Sequence, residues 1–219
     1  MNLFKKIALR LFLAFGLFVL ILIANLVIFN ITASKVTEGV PIENRDPERV
    51  ALLVIDIQEG TTGSTSTIKG YIHQSESLIK NVNNLVAEAL EKGWTIVWVR
   101  SEVSNPLINI LNSSMARGSV GSKLDGRLDT SAGQLVVKKK NDSFASTPLD
   151  EILEEKGVGR LVVAGLDAEH CVLAAIQAAA KRGYELTVFQ ETVIAEDEAN
   201  MAAMLDAYKD LGVELRSGI

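Results

Sequence analysis

Cysteine is almost missing from this chain: Cys171 is the only one in 219 residues. A lone thiol excludes an intrachain disulfide and any metal site built on clustered cysteines. Histidine is nearly as scarce, with only His73 and His170, too few for a His-rich metal centre. Aromatics make up 5% of the residues, and 22 Lys and Arg stand against 27 Asp and Glu, for a net charge of −5. With no basic stripe and few aromatics to stack on bases, nothing marks a nucleic-acid partner. Proline numbers four, and neither an internal repeat nor a low-complexity tract is present. Pro-rich and solenoid architectures are therefore set aside.

What is present falls into unequal parts. Residues 11–29 hold one polar side chain, Asn25, in an otherwise apolar run. That length can cross a hydrocarbon core of ~30 Å. Lys5, Lys6 and Arg10 precede it and would hold that end in the cytoplasm, leaving the remainder outside. Residues 1–33 thus read as a membrane anchor with the following domain non-cytoplasmic. The alternative is a cleaved signal, giving a secreted or periplasmic protein. Signal peptides carry a shorter apolar region, roughly 7–15 residues, and Ile31-Thr32-Ala33-Ser34 is a weak cleavage site. Residues 34–48, with Gly39, Pro41 and Pro47 among charges, read as a linker. Residues 49–219 are long enough to bury one substantial core, and that core is expected to close without the anchor.

Within that domain strands and helices alternate. Val50-Ala51-Leu52-Leu53-Val54-Ile55 is apolar throughout, as a strand buried on both faces should be. Further strands are expected at residues 94–100, 135–137, 161–165, 185–189 and 213–216, and helices at 75–90, 148–155, 172–181 and 196–209. Such β–α repetition predicts an α/β fold: three αβα layers around a mostly parallel open sheet. In the helix after Cys171, Val172, Ala175, Ile176 and Ala179 form a core face and not a cofactor box, and no cofactor is expected.

Three polar residues stand at strand ends, where open α/β sheets bind ligands. Asp56 follows the first strand, and it could equally cap the next turn. Lys138-Lys139-Lys140 follows Leu135-Val136-Val137. Three lysines suit a solvated turn, yet neighbours on an extended chain face opposite ways, so one can point inward. Cys171 begins a helix, whose free N–H groups favour thiolate and can hold an oxyanion. A small buried hydrophobe is the alternative use of a free cysteine.

Asp, Lys and Cys in this order resemble the isochorismatase-like cysteine hydrolase superfamily. The resemblance covers residues 49–216. It rests on Leu53-Val54-Ile55-Asp56-Ile57-Gln58, on Val136-Val137-Lys138 with Ser143-Phe144 and Thr147-Pro148-Leu149, on Leu161 to Gly165 leading to Glu169-His170-Cys171-Val172, and on Ala178 with Gly183-Tyr184. The resemblance implies an Asp56–Lys138–Cys171 triad. Lys138 is chosen over its neighbours because the family lysine lies six positions before the phenylalanine that matches Phe144. It also implies a non-proline cis peptide at Leu166–Asp167, an oxyanion site on the backbone of Asp167 and Cys171, and a homo-oligomer. Nicotinamidase-type relatives carry one acid and several histidines after the second strand. His73 and His170 fall outside that region, so no metal is expected.

A thiol nucleophile beside a carboxylate suits attack on a carbonyl. The leading expectation is hydrolysis of a small amide, ureide or carbamoyl compound through a thioester. Vinyl ether hydrolysis of the isochorismatase type and a non-catalytic anchored binding module are the alternatives. Gln58, Phe144 and His170 are expected around the substrate pocket, with His170 either structural or on the rim. Residues 61–67 and 101–129 are candidate walls, and Arg100 or Arg117 could hold a substrate carboxylate.

Overall fold

The apolar strands assemble because each can be covered on both faces. The computed structural model describes residues 3–43 and 45–219; Met1, Asn2 and Asn44, which fall in the expected anchor and linker, lie outside the described residues. Six parallel strands run in the order β3-β2-β1-β4-β5-β6: β1 (Asp46–Ile55), β2 (Thr95–Ser101), β3 (Gln134–Lys138), β4 (Val158–Gly165), β5 (Glu185–Phe189) and β6 (Glu214–Arg216). The chain lays strands outward from β1 to β3, then returns to β4 and builds the other way. Right-handed crossovers in opposite directions must put their helices on opposite faces.

That rule accounts for the two cores. Leu52 and Val54 of β1 pack with Leu78, Val82, Leu85 and Val86 of α2 (Lys69–Glu91). Ala51, Leu53 and Ile55 point to the other face. There they meet Leu149 and Leu153 of α4 (Leu149–Glu155), Val172 and Ile176 of α5 (Cys171–Lys181) and Tyr208 of α6 (Met201–Asp210). Alternation along the strand is what sorts these side chains. Each fully buried Leu or Ile contributes about 1.5–3 kcal/mol over an exposed one. A short helix, α3 (Pro106–Leu111), lies between β2 and β3 in sequence.

Two helix starts differ from expectation by several residues. Helix α2 begins at Lys69 instead of Ser75. Its first turn carries Tyr71, which continues the buried spacing of Ser75, Leu78 and Val82. Gly70 permits this, because any Cβ there would collide with the carbonyl of Glu196. Helix α6 starts at Met201, after a 3-10 turn at Glu198–Asn200 capped by the Asp197 side chain.

The N-terminal run forms α1 (Leu3–Ala33), long and apolar enough to cross a membrane. Residues 34–48 are not a free linker. The backbone N–H and hydroxyl of Thr37 both donate to Asp142 Oδ2, at 2.8 and 2.7 Å. Val36 and Ile42 pack on the core, and Ile42 N–H donates to Arg182 O at 2.7 Å. Strand β1 itself begins at Asp46, ahead of the expected domain start at residue 49. Proline and glycine spacing marks an extended segment, but whether it lies on the domain depends on buried acceptors such as Asp142 far along the chain.

Tyr208, buried under the sheet end, donates from its hydroxyl to the carbonyl of Ala168 at 2.6 Å. Tyr208→Phe leaves that carbonyl without its donor. Urea denaturation is expected to show a loss of about 1–2 kcal/mol with an unchanged m-value.

Candidate active site

Strand order decides where chemistry can gather. The sheet reverses direction between β1 and β4, and the crevice beyond their carboxyl ends is the natural ligand position. Asp56 is the first residue past β1. Its φ is +56°, a left-handed conformation that Asp tolerates better than most residues. Its N–H donates to Val99 O and its carbonyl accepts from the Thr61 hydroxyl, both at 2.8 Å, so both backbone groups are satisfied in this bend.

Lys138 ends β3, two strands away. Its backbone is in register with Ser101 on β2, so the side chain must cross two strand spacings, ~10 Å, to approach β1. It does so with its side chain 0% exposed, and its Nζ lies 2.8 Å from Asp56 Oδ2. The same Nζ donates to Cys171 Sγ and to Lys140 O, each at 3.1 Å. Lys139 is exposed and Lys140 only partly buried. Of the three lysines, Lys138 is the one that turns inward.

Cys171 opens α5, partly exposed at the bottom of a cavity of about 530 Å³. The Leu166–Asp167 peptide before it is cis. Asp167 is held by four donors: Glu169 N–H at 2.7 Å and His170 Nδ1 at 2.8 Å on one oxygen, Glu196 N–H at 2.8 Å and Tyr71 OH at 3.1 Å on the other. Among the described residues, the backbone N–H groups of Asp167 and Cys171 donate to nothing. Two free donors beside a sulfur are what an oxyanion requires.

Electrostatics correct one expectation. Burial and the adjacent Asp56 carboxylate push the Cys171 thiol above its ordinary pKa, and the Lys138 ammonium only partly opposes them. Burial disfavours the charge on Lys138 as well, but Asp56 and Cys171 outweigh it and its pKa is raised. The resting site is therefore a carboxylate–ammonium pair with a neutral thiol beside it. The favourable field at the start of α5 does not produce a resting thiolate, because one buried cation already has a carboxylate to neutralise.

The expected pocket residues divide. His170 is on the rim, its side chain 67% exposed. Gln58 is buried and faces away from the cavity. Its Nε2 donates to the carbonyls of Ser101 and Ser122 at 3.0 and 2.8 Å, and its Oε1 accepts from Ser101 N–H at 2.8 Å. Gln58 thereby fixes Ser101, whose hydroxyl donates to Asp56 Oδ1 at 2.9 Å. Phe144 is also buried away from the cavity, under the Arg182 guanidinium at 4.2 Å from its ring. Contrary to expectation, neither lines the pocket; both support it from behind.

Residues 101–129 contribute nothing to the cavity lining among the described residues. Arg100 is committed to Glu102 at 2.9 Å, and Arg117 lies exposed at the edge of the same acid. Thr61 does line the cavity, as do Ile68, Tyr71 and Asn141, which sequence reasoning missed. Tyr71 was legible in the α2 spacing. A larger depression of about 740 Å³ adjoins across His170, lined by Glu169, Glu196 and Asp197. Neither Cys171 nor Lys138 lines it. A metal centre does not fit either: no group of three or more His, Cys, Asp or Glu among the described residues could hold an ion.

The remaining wall comes from an unexpected place. Phe29, Asn30, Ala33 and Ser34, the end of α1, line the same cavity. Ala33 O accepts from Asn141 N–H at 3.0 Å.

The domain is similar to known proteins in sequence and in fold. Residues 50–218 match the isochorismatase domain family. A protein of Arabidopsis thaliana described as a probable inactive nicotinamidase is 30% identical over 181 residues, 75% of this chain and 90% of its own length. The structure of N-carbamoylsarcosine amidase from Thermoplasma acidophilum aligns with a TM-score of 0.66 and 25% identity, over 77% of this chain and 96% of that one. The zinc complex of pyrazinamidase from Pyrococcus horikoshii, at 23% identity, shares the fold with a TM-score of 0.65, over 78% and 99% of the two chains.

Iodoacetamide should alkylate Cys171 more slowly at pH 7 than a free thiol. The rate should rise with an apparent pKa above the free value of ~8.5. In Asp56→Asn the opposing charge is gone while Lys138 stays, so the profile should move to lower pH. Intact-mass labelling across a pH series reads both.

Proposed function

This chain belongs to the isochorismatase family, and from that premise we propose that it is a cysteine-dependent hydrolase of a neutral amide, ureide or carbamoyl compound. The coarser statement, an isochorismatase-family hydrolase, carries over from the matched domain. The finer one is supported by a single observation: the buried Lys138 Nζ bridges Asp56 and Cys171, at 2.8 and 3.1 Å, and both of these line one cavity.

In this reading the substrate carbonyl oxygen accepts from the N–H groups of Asp167 and Cys171. Asp56 takes the thiol proton as sulfur attacks the carbonyl carbon. The tetrahedral oxyanion collapses, and the C–N bond breaks as Asp56 passes its proton to the departing nitrogen. The thioester that remains is attacked by a water deprotonated by Asp56, which returns the proton to sulfur as the acid leaves. Lys138 remains an ammonium throughout. It steadies the carboxylate before transfer and the sulfur anion during it.

The second reading, a non-catalytic anchored module, draws on the name of the Arabidopsis relative, which marks that protein as inactive. Against it stands a lysine buried at full cost to contact only Asp56, Cys171 and a carbonyl. Vinyl ether hydrolysis forms no acyl-enzyme and leaves the nucleophilic setting of Cys171 unused.

The proposal extends to location. Residues 11–29 anchor the chain in a membrane, with Lys5, Lys6 and Arg10 on the cytoplasmic side and the domain outside. Retention is favoured over cleavage because the last turn of α1 is built into the cavity, and a removed leader could not serve there.

A panel of small amides and carbamoyl compounds should leave an acyl mass on Cys171, absent in Cys171→Ala. Asp56→Asn and Lys138→Ala should each slow turnover by at least ~10²-fold, Lys139→Ala far less. Failure of every amide to form an adduct on a folded protein would return the choice to the other two readings. Dialysis against a chelator is expected to leave turnover unchanged; recovery only on adding zinc would reverse the metal assignment.

A further inference from the structure

We propose that the cavity is entered from the membrane surface and that its substrate is an amphiphile, an uncharged amide-type head carried on an apolar chain. The head group rests on the hydrolase reading above, and the entry route on retention of α1.

The level of the bilayer follows from lengths. A core of ~30 Å takes ~20 helical residues at ~1.5 Å each. Counted from just after Lys6 or just after Arg10, the core ends between Leu26 and Asn30. Phe29 and Asn30 line the cavity, and Ala33 and Ser34 lie one turn beyond. The cavity wall therefore stands at the bilayer boundary itself. The domain cannot swing away, because three ties hold it to the end of α1. Asn105 Nδ2 donates to Asn25 Oδ1 at 2.9 Å, Asn141 N–H to Ala33 O at 3.0 Å, and Thr37 to Asp142. The first tie brings α3 alongside α1 at the same level, with Ile110 75% exposed. An isolated exposed isoleucine is ordinary, but beside a spanning helix at the boundary its neighbour is lipid.

The cavity's chemistry selects the head group. No Lys or Arg is among the described lining residues. Asp56 is paired by Lys138, and Asp167 is saturated by its four donors. An anionic substrate finds no free cation, whereas Asn30 and Asn141 suit a neutral amide. Phe29, Ala33, Ile68 and Leu166 offer an apolar wall that leads from Cys171 toward α1.

The test uses the full chain in phosphatidylcholine vesicles at pH 9, where the only cysteine makes labelling unambiguous. N-dodecyl iodoacetamide and iodoacetamide are compared at equal total concentration by intact mass. The dodecyl probe should label Cys171 at least ~10-fold faster, and Phe29→Ala should cut that ratio at least ~3-fold. Equal rates for the two probes would overturn membrane entry without touching the hydrolase reading, which stands on acyl adducts. An unchanged ratio in Phe29→Ala would overturn the role of α1 as the wall. A purified chain whose mass lacks residues 1–33 would overturn the proposal outright.

Discussion

A single buried ion pair organises the site: Lys138 Nζ against Asp56 Oδ2 at 2.8 Å, with the lysine fully shielded from water. Burying two charges costs several kcal/mol per ion, and their attraction repays it only when other hydrogen bonds complete the arrangement. Those bonds are present. Ser101 holds the second carboxylate oxygen, Gln58 holds Ser101, and Lys140 O and Cys171 Sγ take the remaining ammonium donors. Asp56, Ser101, Lys138 and Cys171 come from the ends of β1, β2 and β3 and the start of α5, so the pair can exist only if all four stand in register. An arrangement this costly is poor evidence for stability and better evidence for chemistry.

The same pair changes how the thiol is understood. A cysteine at a helix start suggests a thiolate by default. Here the cation that would stabilise it is already engaged, and the carboxylate faces the sulfur. Under the proposed mechanism the ionisation is deferred: a proton has somewhere to go when a carbonyl arrives, and not before.

The end of the N-terminal helix is part of the cavity wall. Ordinarily an anchor is tied to its domain by a loose segment and can be exchanged freely. In this chain the segment is bound, through Thr37 to Asp142 and through Ala33 to the turn carrying Asn141. Asp142 also accepts from Phe144 N–H at 2.8 Å. The turn that follows Lys138 is thus braced by the segment that follows α1, and the position of the helix and the shape of the cavity are set together.

Much of this was legible in the chain itself. Continuous apolar runs such as residues 50–55 announce strands buried on both faces, and the 3-4 spacing of Leu78, Val82, Leu85 and Val86 announces α2, because both patterns are local consequences of backbone geometry. Asp56, Lys138 and Cys171 could be picked out by their order and by the family they resemble, and the structure brings the three into contact. Gln58 and Phe144 could not be assigned correctly, since a polar or aromatic residue near a strand end reads the same whether it faces a cavity or braces its wall. The left-handed bend at Asp56 and the reach of Lys138 across β2 were likewise invisible, as was the turn of α1 that closes the cavity. Sequence by itself determined the elements, the layers and the residue types available for chemistry, because these depend on neighbours within a few positions. Only the tertiary structure decided which side chains meet, which of them are charged and what surrounds them, because those depend on contacts between residues far apart in the chain and on the water they exclude.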